Sequence, residues 1–206
     1  MDDTPPGGPD VPRHRLILIR HGETQWSRTG QHTGLTNLPL LPEGERGAAE
    51  LEDLLSGMSF VHVRCSPLQR ARRTAELAGL ALDAVDDDLV EWDYGAYEGL
   101  TTAQVRQRVG YPWTVWQHGV EPGDTPGETV EEVAARASRV LERVTPHLFD
   151  GDVALVGHGQ ALRVLTAVYL RQAPRFGQHL TFEVGSLGIL SHHHEDPVIS
   201  SWNQRR

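Results

Sequence analysis

The stretch LILIRHGETQWS, residues 16–27, places four consecutive apolar residues directly before Arg20, His21 and Gly22. A short, continuous apolar run of this kind is typical of a parallel strand that is buried on both faces. Charged and polar side chains are seldom fully buried, so the run must end where these residues begin. The stretch therefore predicts a buried strand at residues 16–19 that delivers a basic turn to one edge of a sheet.

Two further apolar runs, at residues 60–64 and 152–156, end in the same way. The first leads into the segment CSP and then to Arg70, and the second leads into GHG around His158. In open α/β sheets, ligands bind outside the carboxyl ends of the strands, where loop amides and helix N-termini favour anions. Because this edge would carry two histidines and two arginines, the sequence predicts a phosphate pocket there.

Helix-like segments alternate with these strands. They lie at residues 43–55, 68–78, 129–147 and 160–171. Pro67 is placed for the first turn of the second of these helices. The alternation predicts a three-layer α/β/α sandwich with a mainly parallel sheet, built as a single domain over residues 14–206.

Composition limits the classes of function. The chain has 206 residues, a formal net charge of −9 and one cysteine, and all of its basic residues other than histidine are arginine. The acidic balance disfavours nucleic acid or an anionic membrane as the partner, and a single cysteine allows no internal disulfide. Residues 1–13 are predicted to be a disordered arm, since they resemble neither a signal nor a transit peptide. No run approaches the roughly 18 apolar residues of a membrane span, so a soluble, cytoplasmic protein is expected.

Four motifs carry a family resemblance. RHGET at residues 20–24, SPLQRARRTA at 66–75, EWDYGAYEG at 91–99 and GHGQALR at 157–163 resemble the signature of the histidine phosphatase superfamily, whose fold is phosphoglycerate-mutase-like. The resemblance implies a cofactor-independent phosphatase that uses a phosphohistidine intermediate. Sequence context alone does not say which histidine attacks. The resemblance implies that His21 is phosphorylated and that His158 binds the phosphate.

The chemistry suits these residue types. A neutral imidazole is a suitable nucleophile near neutral pH, and arginines clamp phosphate bidentately. We therefore expect Arg20 and Arg70 to clamp the phosphoryl group, with His158 as an additional cation. Glu91, which lies among apolar neighbours, matches the proton donor of the family. Asp93 and Glu98 are weaker candidates for that acid.

The other candidate binding residues are Ser27, Thr33, Gly34, Tyr94, Gly159 and Arg163. Ser27 stands where many relatives carry asparagine, and its hydroxyl could still bond to phosphate. Thr33 and Gly34 match a phosphate- or substrate-contacting stretch. Gly159 would let the backbone approach a ligand. Tyr94 and Arg163 would contact a sugar or a second phosphate, although Arg163 could instead form an ion pair on its helix.

Several motifs together look closest to the branch of sugar-bisphosphate phosphatases that includes sedoheptulose-1,7-bisphosphatase. The expected partner is thus a small phosphorylated metabolite, with no cofactor, metal, nucleic acid or membrane, and the sequence leaves a homo-oligomer open. The alternatives are a phosphoglycerate mutase, a broad-specificity acid phosphatase and a catalytically inactive regulatory module on the same fold. A zinc hydrolase lacks support because no HExxH pattern occurs.

Two other segments invite more than one interpretation. HHHED at residues 192–196 could suggest a metal site, but consecutive histidines in a strand point to opposite sides, so a polar turn is expected. PWTVWQH at residues 112–118 either packs over the site or forms a satellite core.

Overall fold

One mixed sheet of six strands forms the centre of the protein in the computed structural model, which describes residues 11–205. The strands are β1 (Leu16–Arg20), β2 (Phe60–Cys65), β3 (Ala84–Val85), β4 (Asp152–Gly157), β5 (Leu187–His193) and β6 (Asp196–Gln204). Their order is β3-β2-β4-β1-β5-β6. The strands β1 to β4 are parallel, whereas β5 pairs antiparallel with both β1 and β6. The predicted mainly parallel sheet is confirmed.

Seven α-helices surround this sheet within the same described residues. They are α1 (Gln25–Thr29), α2 (Pro42–Leu55), α3 (Gln69–Leu77), α4 (Thr102–Val109), α5 (Val115–His118), α6 (Val130–Val144) and α7 (Gly159–Tyr169). Short 3-10 helices occur at Asp87–Leu89, Gly95–Tyr97, Thr145–Phe149 and Pro174–His179. The placement of Pro67 in the first turn of α3 was wrong, because Leu68 caps that helix and the proline lies outside it.

Alternation along β1 produces the three layers. Leu16 and Leu18 pack in one core with buried residues of α6 and α7, and Ile17 and Ile19 pack in a second core with buried residues of α2 and α3. All four side chains are fully buried. Since neighbouring residues of a strand point to opposite faces, an unbroken apolar run was needed to bury both faces.

A third core lies beside the sheet and contains the aromatic residues of the segment 112–118. Trp113 and Trp116 are buried there with Trp92 and Tyr97. The ring of Trp116 stands at 85° to that of Trp92, with their centroids 5.4 Å apart. The aromatic residues of PWTVWQH therefore belong to a satellite core, and the segment does not line the active-site cavity.

The predicted arm at residues 1–13 falls mostly outside the described residues, and for residues 1–10 it stays a prediction. Val11 and Pro12 are described, and Pro12 is buried. They line a groove together with side chains of α6 and α7. Among residues 11–205, no helix has the length and apolar character needed to cross a bilayer.

The turn after β1 touches α2 through two glycines. A Cβ added to Gly22 would lie 2.3 Å from the carbonyl oxygen of Gly44, and one added to Gly44 would lie 2.1 Å from the carbonyl oxygen of Glu23. Both distances are far below any normal contact. The helix therefore packs backbone against backbone on the turn that carries His21, which requires glycine at both positions.

We expect Gly44→Ala to lower the free energy of unfolding by about 1–3 kcal/mol, because the added methyl group must push α2 away from the turn. Gly47→Ala is the matched control in the same helix, since no atom lies within 4 Å of its added Cβ. It should raise the free energy of unfolding by about 0.5–1 kcal/mol through helix propensity. Urea unfolding of both variants measures the difference. Equal effects of the two substitutions would contradict the close contact.

Candidate active site

The register of β1 against β4 brings the two histidine motifs together. Arg20 pairs with Gly157, and the backbone N–H of His21 donates to the Gly157 carbonyl at 3.0 Å. The imidazole rings of His21 and His158 consequently lie 5.1 Å apart, centroid to centroid. Two motifs separated by more than a hundred residues thus meet at the carboxyl edge of the sheet, as the sequence predicted.

The His21 ring is held in a single tautomer. Its Nδ1 lies 2.7 Å from the carbonyl oxygen of Gly22. Because a carbonyl can only accept, Nδ1 carries the proton and Nε2 keeps the lone pair. Burial, together with the guanidinium groups of Arg70 and Arg20, holds the pKa of His21 well below its ordinary value. The ring is therefore neutral near pH 7 and has a nucleophilic nitrogen available.

His158 has the opposite tautomer and is also neutral. Nε of Arg70 donates to its Nδ1 at 3.1 Å, so the ring proton lies on Nε2, which is 2.7 Å from the hydroxyl oxygen of Ser66. Burial, with the charge of Arg70 as the next cause, lowers the pKa of His158 far below its ordinary value. In this structure Nδ1 of His158 accepts from an arginine, so the ring is neutral, and the expectation that His158 adds a positive charge to the phosphate clamp stays a prediction.

Arg20 brings an unused donor to the site. Its Nε is buried and has no hydrogen-bond partner among the described residues, while its Nη1 donates to the carbonyl of Phe182. A Cβ added to Gly159 would lie 3.0 Å from Cζ of Arg20, so the glycine makes room for the guanidinium. An unpartnered, buried guanidinium N–H costs free energy, and an anion bound at this position would offset that cost.

Arg70 is fully buried and makes four hydrogen bonds within the protein. Besides His158, its donors bond to the carbonyl oxygens of Thr33, Gly34 and Thr36, all in one loop. Arg70 thereby holds the loop and His158 in place.

Glu91 lies against the N-terminus of α7. Its carboxyl oxygens accept hydrogen bonds from the backbone N–H groups of Trp92, Gln160 and Ala161 at 2.9, 3.0 and 2.8 Å. The apolar neighbours in the sequence therefore tell only part of its environment, because backbone donors distant in sequence fix the orientation of the carboxyl group.

These groups surround a cavity of about 230 Å³. It is lined by Arg20, His21, Ser27, Gly30, Gln31, His32, Thr33, Glu91, Tyr94, Gly159, Gln160 and Arg163. Eight of these are predicted site residues, whereas Gly34, Arg70 and His158 lie outside the lining. A larger groove of about 730 Å³ lies beside Arg72 and Arg73, but it contains neither histidine nor Glu91. Chemistry rather than size therefore identifies the site.

The loop residues have structural partners that sequence reasoning did not find. The Ser27 hydroxyl donates to the Thr24 carbonyl and accepts from the Thr24 N–H, so its single proton is already in use. Glu98 accepts from the N–H groups of Gly34 and Thr36 and so holds the loop that binds Arg70. Asp93 accepts from the N–H groups of Gly95 and Gly127. The two alternative acids thus serve as acceptors for backbone amides.

Arg163 lines the cavity. Its guanidinium packs over the ring of Trp116 at 4.8 Å and donates to the carbonyls of Gly177 and Gln178 and to the side chain of Gln160. Burial lowers the pKa of this guanidinium. The alternative of an ion pair on its helix finds no support, because each of these acceptors is a neutral oxygen.

His32 and Tyr94 form one wall of the cavity. Their rings stack with centroids 4.6 Å apart. Burial lowers the pKa of His32 to about 4 and raises the pKa of Tyr94 well above its ordinary value. Both groups are therefore neutral near pH 7. The sequence pointed to Tyr94 but not to His32, whose only signal was its position next to Thr33.

The predicted polar turn at residues 192–196 is limited to His194 and Glu195, because the other three residues belong to strands. The segment spans the end of β5, the tight connection at His194, which has a φ of 56°, and the first residue of β6. No group of three or more histidine, cysteine, aspartate or glutamate side chains within residues 11–205 is arranged to hold a metal ion.

Comparison with known proteins agrees with this geometry. The model of the histidine phosphatase superfamily (branch 1) matches residues 16–205. The chain is 40% identical over 187 residues to an acid phosphatase of Mycobacterium tuberculosis, and the matched region covers 89% of each protein. It is 35% identical over 185 residues to the sedoheptulose 1,7-bisphosphatase of Saccharomyces cerevisiae, covering 75% of this chain and 67% of the relative.

A solved structure supports the same assignment. The protein of open reading frame Rv3214 from Mycobacterium tuberculosis superposes with a TM-score of 0.87 at 36% identity, covering 93% of this chain and 98% of that chain. The matched region contains both histidine turns and the strands that carry them. The chain therefore belongs to the histidine phosphatase superfamily (branch 1) and is a histidine-dependent phosphatase.

Proposed function

We propose that the protein hydrolyses a phosphomonoester of a sugar bisphosphate through a phosphohistidine on His21. One observation carries the proposal: a neutral imidazole with its lone pair on Nε2 lines the same cavity as the unpartnered guanidinium nitrogen of Arg20. A nucleophile and an anion-binding group are thus present together, which is the requirement of phosphoryl transfer.

In the first half of the reaction, Nε2 of His21 attacks the phosphorus atom and the ester P–O bond breaks. The leaving oxygen takes a proton from Glu91, which becomes a carboxylate. The Gly22 carbonyl, which accepts from Nδ1 of His21, stabilises the positive charge that the imidazole gains. Arg20 and Arg70 offset the charge on the non-bridging oxygens.

In the second half, water attacks the phosphorus of the phosphohistidine and the N–P bond breaks. Glu91 takes the proton that the water loses, so the acid returns to its starting form together with neutral His21. The products are inorganic phosphate and the dephosphorylated sugar. Glu91 lines the cavity together with His21, which suits a group that serves as acid and then as base.

The sugar-bisphosphate assignment rests on the side chains that line the cavity and on one relative. Arg163 is a second cation that lines the cavity, and Tyr94, Gln31 and Gln160 offer neutral hydrogen-bonding groups that suit a polyol. A relative with 35% identity is named sedoheptulose 1,7-bisphosphatase. A substrate with two phosphates and hydroxyl groups between them matches this distribution of charge.

A broad-specificity acid phosphatase is the second candidate. Each guanidinium nitrogen of Arg163 already donates to an oxygen of the protein, which favours a site without a second phosphate. A relative with 40% identity is named acid phosphatase. Substrate profiles distinguish the two candidates.

For the nucleophile, we expect His21→Ala to reduce phosphate release by at least about a thousandfold, because the covalent route is lost. Acid-quenched wild-type reactions with labelled substrate should contain no stable label, whereas alkaline-quenched reactions should retain label on the chain. His179→Ala, at an exposed histidine, is the matched control and should leave the rate unchanged. Near-normal turnover by His21→Ala would overturn the proposal.

For the acid, we expect Glu91→Gln to slow hydrolysis of a sugar phosphate by about 10²- to 10⁴-fold, and to slow an activated aryl phosphate far less. The reason is that an aryl oxide leaves without needing a proton. Rates on both substrates measure the contrast. Equal losses on the two would show that Glu91 orients the phosphoryl group and does not protonate the leaving oxygen.

For the substrate, we expect kcat/KM for a six- or seven-carbon ketose bisphosphate to exceed that for the matching monophosphates. Arg163→Ala should reduce this preference by about 10- to 100-fold, as expected for a charge-assisted hydrogen bond. Arg175→Ala is the control, since Arg175 is exposed and donates to the Trp116 carbonyl outside the cavity. A flat profile over phosphomonoesters would establish the broad-specificity candidate, and faster isomerisation of 3-phosphoglycerate would establish a mutase.

A further inference from the structure

Ser66 belongs to a chain of hydrogen bonds that the reaction above does not use. It directly follows β2, is fully buried, and its backbone N–H donates to the Val156 carbonyl at 2.9 Å, next to the GHG turn. Its hydroxyl oxygen lies 2.7 Å from Nε2 of His158, and Nδ1 of the same ring accepts from Nε of Arg70. The chain thus runs from Ser66 through His158 to Arg70.

The positive charges near His158 come from three elements. Arg70 of α3 donates directly to the ring, Arg20 lies at the end of β1, and Arg136 projects from α6; all three disfavour a proton on His158, and the neighbouring titratable ring of His21 is neutral. Within residues 11–205, no carboxylate accepts a hydrogen bond from the ring. Burial is the largest cause that lowers the pKa of His158, so the ring is neutral, and its Nδ1 occupies a donor of Arg70.

A bound phosphate dianion reverses this balance, because it places two negative charges among the same cations. Nε2 of His158 already carries a proton that it shares with Ser66, so an additional proton can only go to Nδ1. A protonated Nδ1 cannot accept a hydrogen bond. Nε of Arg70 must then release the ring, and it becomes a donor for the anion.

We propose that Ser66 is a positioning residue: by accepting the Nε2 proton of His158 it leaves Nδ1 to take up a proton when a phosphate dianion binds, and this uptake releases Arg70 Nε toward the anion. The inference rests on the proposed function, since it requires the phosphoryl group to bind beside His21.

The mechanism requires that anion affinity depend on pH. Binding that takes up one proton weakens about tenfold for each unit of rising pH, over the range in which the free ring is neutral and the bound ring is charged. A permanently cationic His158, or a permanently neutral one, would give an affinity independent of this group.

The test uses sulfate, a dianion that has no titrating proton near neutral pH. Calorimetric titration of the intact protein slightly above pH 7, in two buffers of different ionisation enthalpy, counts the protons taken up per bound ion. The expected count is about one. His158→Gln should abolish the uptake. Glu91→Gln should retain it, which excludes Glu91 as the group that takes up the proton.

Ser66→Ala should bind sulfate about tenfold more weakly and take up less than half of a proton at the same pH, because a charged ring then lacks an acceptor for one N–H. Ser186→Ala is the matched control: Ser186 is also fully buried, but its hydroxyl donates to the Glu183 carbonyl. It should behave as the wild type does. Circular dichroism verifies that each variant is folded.

The possible outcomes separate this inference from the proposed function. Sulfate binding by the wild type without proton uptake would overturn the inference and leave the proposed function in place. Uptake that persists in His158→Gln, or disappears in Glu91→Gln, would also overturn it. Failure of the wild type to bind sulfate at all would contradict the proposed phosphate site itself.

Discussion

The parallel pairing of β1 with β4 is the constraint on which the site depends. Arg20 opposite Gly157 is the last pair of that ladder, so both histidine turns leave the sheet side by side. The unbroken apolar run of β1 secures the register, because its alternate residues fill two different cores. A shift by one residue would exchange those faces and separate the two rings. Core packing thereby sets the relative positions of the two histidine rings.

The charge states of the site residues follow from the same packing. Arg20, Arg70 and the two histidines lie close together, and burial, followed by the charge of the arginines, keeps the pKa of both imidazoles low. A neutral His21 can act as a nucleophile only if one nitrogen is free, and the Gly22 carbonyl determines which one. The site therefore combines permanent positive charge with an uncharged nucleophile. This combination suits attack on a phosphate dianion, since the cations attract the substrate without protonating the attacking group.

The sequence predicted three of the strands (β1, β2 and β4), four of the helices (α2, α3, α6 and α7) and the motif residues, because each depends on local patterns such as the apolar run before RHG. The hairpin of β5 and β6 was missed because its polar residues hide the strand pattern. The charge state of His158 could not be predicted, since it depends on Arg70 donating to it across 88 residues of sequence. The anchoring of Glu91 on α7 is equally non-local. The sequence did carry a signal for Ser66. It directly follows β2, just as Gly157 of GHG directly follows the apolar run at residues 152–156.

The central claim is that His21 is a neutral imidazole with its proton on Nδ1 and its lone pair on Nε2. Nitrogen-15 NMR of the histidine side chains, with His21→Gln to assign the resonance, measures this directly in the empty enzyme. The account predicts a protonated Nδ1 and an unprotonated Nε2 at pH 7, with no change on acidification until well below the ordinary pKa of histidine. An imidazolium at pH 7, or a proton on Nε2, would contradict it.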